Sequence, residues 1–117
     1  MDHRLQQLET LGIDVETTLK RFCGDADLLM SMLAVLIQED VLEQLPEALR
    51  AKDYRAAESI AHAVKGTAAN LGLASLSAQC NALAQAIRTN QLHDAESLAS
   101  TALASYRTVR AHIAALS

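Results

Sequence analysis

Residues 61–72 read AHAVKGTAANLG, and the face that each residue takes on a helix decides the fold. At about 100° per residue, Ala57, Ile60, Ala61, Val64, Ala68 and Leu71 fall within roughly 40° of one direction, an apolar stripe that requires a partner surface. His62 lies about 140° from the centre of that stripe on the same geometry. Its neighbours on the polar side are Arg55, Glu58, Lys65, Gly66 and Ala69. Asp53 precedes the run as an N-cap, and Gly72 closes it in a position suited to a left-handed C-cap. Gly66 is the anomaly, because a glycine inside a helix costs about 1 kcal/mol relative to alanine.

Similar stripes extend in both directions. HRLQQLETLG (3–12) and DVETTLKRFCG (14–24) read as two short helices, the first closed by Gly12, the second capped by Asp14 and stopped by Gly24. Asp25 caps a long helix to Lys52, with Leu29, Met32, Leu33, Leu36, Leu45 and Leu49 inward; Pro46 should kink or split it near Leu45. Beyond Gly72, residues 74–90 place Leu76, Cys80, Leu83 and Ile87 on one face. The last helix, from about His93 to Leu116, sets Ala95, Ala99, Ala102, Tyr106, Val109, Ile113 and Leu116 at alternating steps of four and three. Connections this short make successive helices antiparallel. The expectation is a single all-α domain over 1–117. Residues 25–117 form an up-down-up-down four-helix bundle, and the helices of 1–24 cap or flank it.

Composition agrees with that reading and narrows function. The chain has 117 residues, enough for one core. It is 50% hydrophobic and 3% aromatic, with four glycines and one proline, so its core must be built from small and aliphatic side chains. A net charge of -4 argues against a general nucleic-acid binder. No apolar run approaches the roughly 20 residues of a membrane span, and no signal-peptide pattern opens the chain. Cys23 and Cys80 lack paired metal-ligand spacing and read as buried free thiols of a reducing compartment rather than a disulfide.

The histidines His3, His62, His93 and His112 have no His or Glu partner at metal-ligand spacing, and no phosphate-binding glycine loop or nucleophile elbow occurs. His3, His93 and His112 read as ordinary surface or rim residues. His62 has two readings. In one it is an exposed histidine on an amphipathic helix, and Gly66 is present because another helix packs close. In the other, Gly66 clears space for a partner to approach the imidazole, and Lys65 neutralises an anion formed on it. An imidazole is a competent nucleophile near neutral pH. Accepting a phosphoryl group requires access, positive charge and no bulky neighbour, all of which this segment supplies.

AHAVKGTAANLGLASLSAQCNALAQAI (61–87) resembles the signature of histidine-containing phosphotransfer (HPt) domains. The pattern A-H-x-[LIV]-K-G-x-A is matched by Ala61, His62, Val64, Lys65, Gly66 and Ala68, followed by Gly72, Leu76, Cys80 and Leu83. GIDVETTLKRFCGDADLLMSML (12–33) and AKDYRAAESIAH (51–62) are similar to the family's lead-in segments, so the likeness covers about residues 12 to 90. The resemblance implies a phosphorelay intermediate of a two-component system. His62 would accept a phosphoryl group from the aspartyl phosphate of one receiver domain and pass it to another, with Lys65 supporting charge and Gly66 giving access. Such a domain is a phosphohistidine carrier without ATP-dependent kinase activity of its own. It needs no cofactor, since Mg²⁺ belongs to the partner receiver. Many family members carry Glu or Gln after the leucine matching Leu83 to orient the histidine. This chain has Ala84, with Gln85 and Arg88 as the nearby polar candidates.

Two other readings compete with the carrier. One is a silent helical adaptor that docks receivers without being phosphorylated, against which stand the intact His62, Lys65 and Gly66. The other is the phosphoacceptor segment of a histidine kinase, which usually carries H-E and a downstream proline; here Ala63 follows His62 and no proline comes after it. The expected partners are response-regulator receivers, with no nucleic acid and no direct membrane contact, and the isolated domain is expected to be monomeric. Arg50, Lys52 and Arg55 form a basic patch suited to an acidic receiver pocket, or simply a solvated helix end. The lead-in GIDVETTLKRF points to the cytoplasmic C-terminal module of a membrane-bound hybrid kinase.

Overall fold

Local side-chain caps set three of the helix starts. In this computed structural model, which describes residues 3–116, the Asp14 carboxylate accepts the Thr17 amide proton, Asp25 that of Leu28 and Asp53 that of Ala56. Each side chain satisfies an amide that the first helical turn leaves without a partner. The α-helices are α1 (His3–Glu9), α2 (Val15–Arg21), α3 (Ala26–Glu39), α4 (Leu45–Arg50), α5 (Tyr54–Asn70), α6 (Ala74–Arg88) and α7 (Leu92–Ala114), with a 3₁₀ turn over Val41–Gln44. No strand occurs among the described residues, so the expected all-helical class holds.

The stripes read from the sequence form one core. Ala57, Ala61, Val64 and Ala68 of α5 meet Leu76, Cys80, Leu83 and Ala84 of α6, and these meet Ala95, Ala99, Ala102, Tyr106, Val109 and Ile113 of α7. The alanines let the helix axes approach closely, which is how a chain with few aromatics reaches interior density. Ser77 adds a polar tie, its hydroxyl donating to the Lys65 carbonyl at 3.0 Å. Three residues, 71–73 and 89–91, join each consecutive pair of these helices.

The long helix expected over 25–52 breaks earlier than its proline. It ends at Asp40, which takes a left-handed conformation (φ 51°), while Pro46 sits in the first turn of α4, where its missing N–H costs nothing. A contact distant in sequence fixes the break at Asp40. The Tyr106 hydroxyl donates to its carboxylate at 2.5 Å, and the Arg110 guanidinium, which also stacks on the Tyr106 ring, donates at 3.0 Å. Burial first, then the Asp40 carboxylate, pushes the Tyr106 phenol well above its ordinary range. Next to it, Arg107 grips Glu43 through two hydrogen bonds of 2.7 Å. The Arg107 bond, with help from Arg110, holds the Glu43 carboxyl below its usual value despite opposing desolvation.

Three placements correct the sequence reading. Met32 points outward with Leu28 and Val35 instead of joining the core. Cys23 is exposed at the end of α2, at φ 55°, because the turn there carries it away from the apolar stripe; Cys80 alone is buried. Gly72 does more than end α5. A Cβ there would collide with the Thr18 hydroxyl and touch Ile13, so the α5–α6 turn is a contact point for α2 as well as a left-handed cap (φ 80°). Arg21 completes that junction by donating to the carbonyls of Ala69 and Asn70, both at 3.2 Å. This is a favourable place for a cation, at the negative end of the α5 dipole.

Candidate functional site

The apolar face of α5 is consumed by packing, which leaves its opposite face to solvent. His62 and Gly66 are exposed there and Lys65 is half-buried. A Cβ built on Gly66 would meet no atom within 4 Å. No neighbouring helix therefore requires a glycine at this position, which removes the close-packing reading of Gly66. What remains is a bare turn on an outer helix face, directly C-terminal to an accessible imidazole.

Arg88 reaches this imidazole from α6. Its Nη2 lies 3.4 Å from His62 Nδ1, and its Nε donates to Glu58 Oε1 at 2.7 Å. Glu58 is one turn before His62 on α5, so the carboxylate anchors the guanidinium beside the ring. Arg55, Glu58, Ser59, His62 and Arg88 together line an open depression of about 360 Å³. Ala84, at the position where a polar residue would be expected, is buried and has no polar group to offer. Gln85 is exposed, and of the two polar candidates it is Arg88 that contacts the ring. Arg88 is recognisable as a candidate from its position one turn beyond Ala84. Its pairing with Glu58, 30 residues away, depends on how α5 and α6 register and leaves no mark in the sequence.

Lys65 and Gly66 belong to an adjoining groove. It is about 600 Å³, runs between α2, α5 and α6, and is walled by Asp14, Thr17 and Arg21 on one side and Ala74, Ser77, Ala78 and Asn81 on the other. The three residues singled out from the sequence thus share a helix face but line two depressions: His62 in one, Lys65 and Gly66 in the other. Of the basic patch, Arg55 shares the His62 depression, Arg50 pairs with Glu47, and Lys52 sits exposed in the turn before α5 at φ 57°.

The other histidines lie elsewhere. His3 and His93 are exposed, the latter 3.6 Å from Asp94, while His112 joins α7 to α1 through contacts of 3.0 Å with the Thr10 hydroxyl and the Gln7 carbonyl. Among the described residues no three His, Cys, Asp or Glu side chains gather as a metal site, and no helix is long and apolar enough to cross a membrane.

Comparison with known proteins adds one match. A family model described as Hpt domain matches residues 31–117, a span from within α3 to the end of the chain that includes the whole His62 depression and the α5 and α6 walls of the adjoining groove. No curated protein and no solved structure gives a significant match.

Proposed function

The chain belongs to the Hpt domain family, whose members carry out histidine phosphotransfer in two-component phosphorelays and interact with receiver domains, and from that premise we propose that His62 is its phosphoacceptor. The observation that carries the proposal is the open space at Gly66 beside an exposed imidazole. A receiver must bring a phosphoaspartate to within bonding distance of a ring nitrogen, and a side chain larger than hydrogen one turn away would stand in its path.

The ring nitrogen Nε2, turned away from Arg88, attacks the phosphorus; a P–N bond forms, the P–O bond to the aspartate breaks, and the aspartate leaves as a carboxylate. The reverse reaction on a second receiver passes the group on. Lys65 supports the negative charge of the phosphorylated ring and Gly66 admits the receiver. The receiver supplies Mg²⁺ and the groups that activate its own aspartate, so the HPt domain contributes a nucleophile and a docking face. We infer further that α3–α4, α5, α6 and α7 are the four arms of an up-down-up-down bundle, supported by the three-residue connections after α5 and α6. On this reading the chain is a cytoplasmic module of a hybrid kinase and acts as a monomer.

The test is incubation with phosphorylated receiver domains, scoring acid-labile phosphate on wild type, His62→Gln and Lys65→Ala. Labelling of wild type, its loss in His62→Gln, and slowed transfer in Lys65→Ala are expected. Label retained by His62→Gln would overturn the assignment of the acceptor. Absence of label on wild type with every receiver tried would favour a silent adaptor.

A further inference from the structure

We propose that Arg88 is a positioning residue that favours the phosphorylated ring of His62 over the free one and so sets how long the phosphohistidine lasts. The proposal rests on His62 being the phosphoacceptor. It starts from donor and acceptor chemistry: a guanidinium only donates, so its 3.4 Å approach to His62 Nδ1 is favourable only while Nδ1 carries a lone pair. Arg88 is held in place, since Glu58 Oε1 fixes its Nε at 2.7 Å from the same helix face that carries His62.

The states of the ring differ in what Nδ1 offers. A free imidazole whose Nε2 is ready to attack carries its proton on Nδ1 and presents a donor to a donor. When Nε2 takes the phosphoryl group, the Nδ1 proton leaves to water. The neutral phosphoimidazole then has a lone pair at Nδ1, and Arg88 can donate to it. Losing the phosphoryl group requires the opposite movement: Nδ1 takes a proton, the P–N bond breaks toward water or an aspartate, and the ring leaves as neutral imidazole. Arg88 opposes that protonation through both its donated hydrogen bond and its charge. The charged groups that share the depression with the ring are Arg55 and Glu58 on α5 and Arg88 on α6, with Lys65 one turn further along α5 in the adjoining groove; Glu58 is already engaged by Arg88. A polar residue at the position of Ala84 is thereby replaced, one turn later, by a group that is selective for charge state as well as orientation.

The experiment labels the full chain with phosphoramidate, confirms the site by mass spectrometry, and follows phosphohistidine decay against pH in wild type, Arg88→Ala and Arg88→Lys. Arg88→Ala should shorten the lifetime about threefold to tenfold, the effect of one modest hydrogen bond. The pH at which decay accelerates should move upward, and Arg88→Lys, which keeps a cationic donor, should recover part of the difference. Helix content and melting temperature should match wild type, a readout that a purely structural Arg88–Glu58 pair would move instead. An unchanged lifetime and pH profile in Arg88→Ala would overturn the role of Arg88 while leaving His62 as acceptor. Failure of His62 itself to take phosphate from either phosphoramidate or a receiver would overturn both.

Discussion

Replacing Gly66 by alanine should make this protein more stable. Gly66 lies inside the 17-residue helix α5 in ordinary helical geometry, and a methyl group there meets no atom within 4 Å. The substitution therefore adds no clash and removes the backbone entropy that glycine loses on folding, a gain of about 0.5–1 kcal/mol. Unfolding entropy near 2.1 cal/mol/K per residue gives roughly 0.25 kcal/mol/K for this chain, so the melting temperature should rise by about 2–4 °C. Calorimetry or thermal circular dichroism on the purified domain measures this directly. The companion variant Gly66→Gln should also fold normally yet weaken receiver docking at least about tenfold, equivalent to ~1.4 kcal/mol. A fall in melting temperature for Gly66→Ala would refute the reasoning, because it would reveal a close intramolecular contact at a position where the structure has open space.

Gly72→Ala should behave in the opposite way, losing about 1–3 kcal/mol from its positive φ, with the collision against Thr18 adding to that; urea unfolding of the two glycine variants side by side separates them. Burial pushes the Cys80 thiol up to about 11, so iodoacetamide at neutral pH should modify exposed Cys23 in the native protein and reach Cys80 only after unfolding, as peptide mapping would show. Glu43 titrates below its reference value of 4.5 in the folded state, so its contribution is complete above that pH and is lost as pH falls through the lowered value. Stability measured against pH should accordingly fall less steeply on the acid side in Glu43→Gln than in wild type, with Asp14 at its cap still contributing in the same direction.

What the sequence made legible follows from the range of each interaction. The caps at Asp14, Asp25 and Asp53 act on amides three residues away, so reading along the chain finds them. The outward placement of His62 and Gly66 follows from helical periodicity once the alanine stripe of α5 is recognised. The break at Asp40 was not legible, because Tyr106, 66 residues on, holds it, and the local pattern pointed to Pro46 instead. Met32 was assigned inward because a stripe read at single-residue resolution cannot distinguish the edge of a helix from its centre when both are apolar. Arg88 could be named as a candidate, but its engagement with His62 and Glu58 required the packing of α5 on α6.

The junction of Arg21 with the end of α5 bears on where the domain can be trimmed. The family match begins at residue 31, yet α1 and α2 lie before it, and α2 with the turn leading into it supplies one wall of the groove beside Lys65 and Gly66. Cutting the chain to the matched span would strip the guanidinium from the carbonyls of Ala69 and Asn70 and uncover the turn at Gly72. The groove would become an open shelf. An expression boundary drawn from the family alone would thus yield a protein with its histidine intact and half of its neighbouring recess missing, and measurements of receiver specificity should be made on the longer chain.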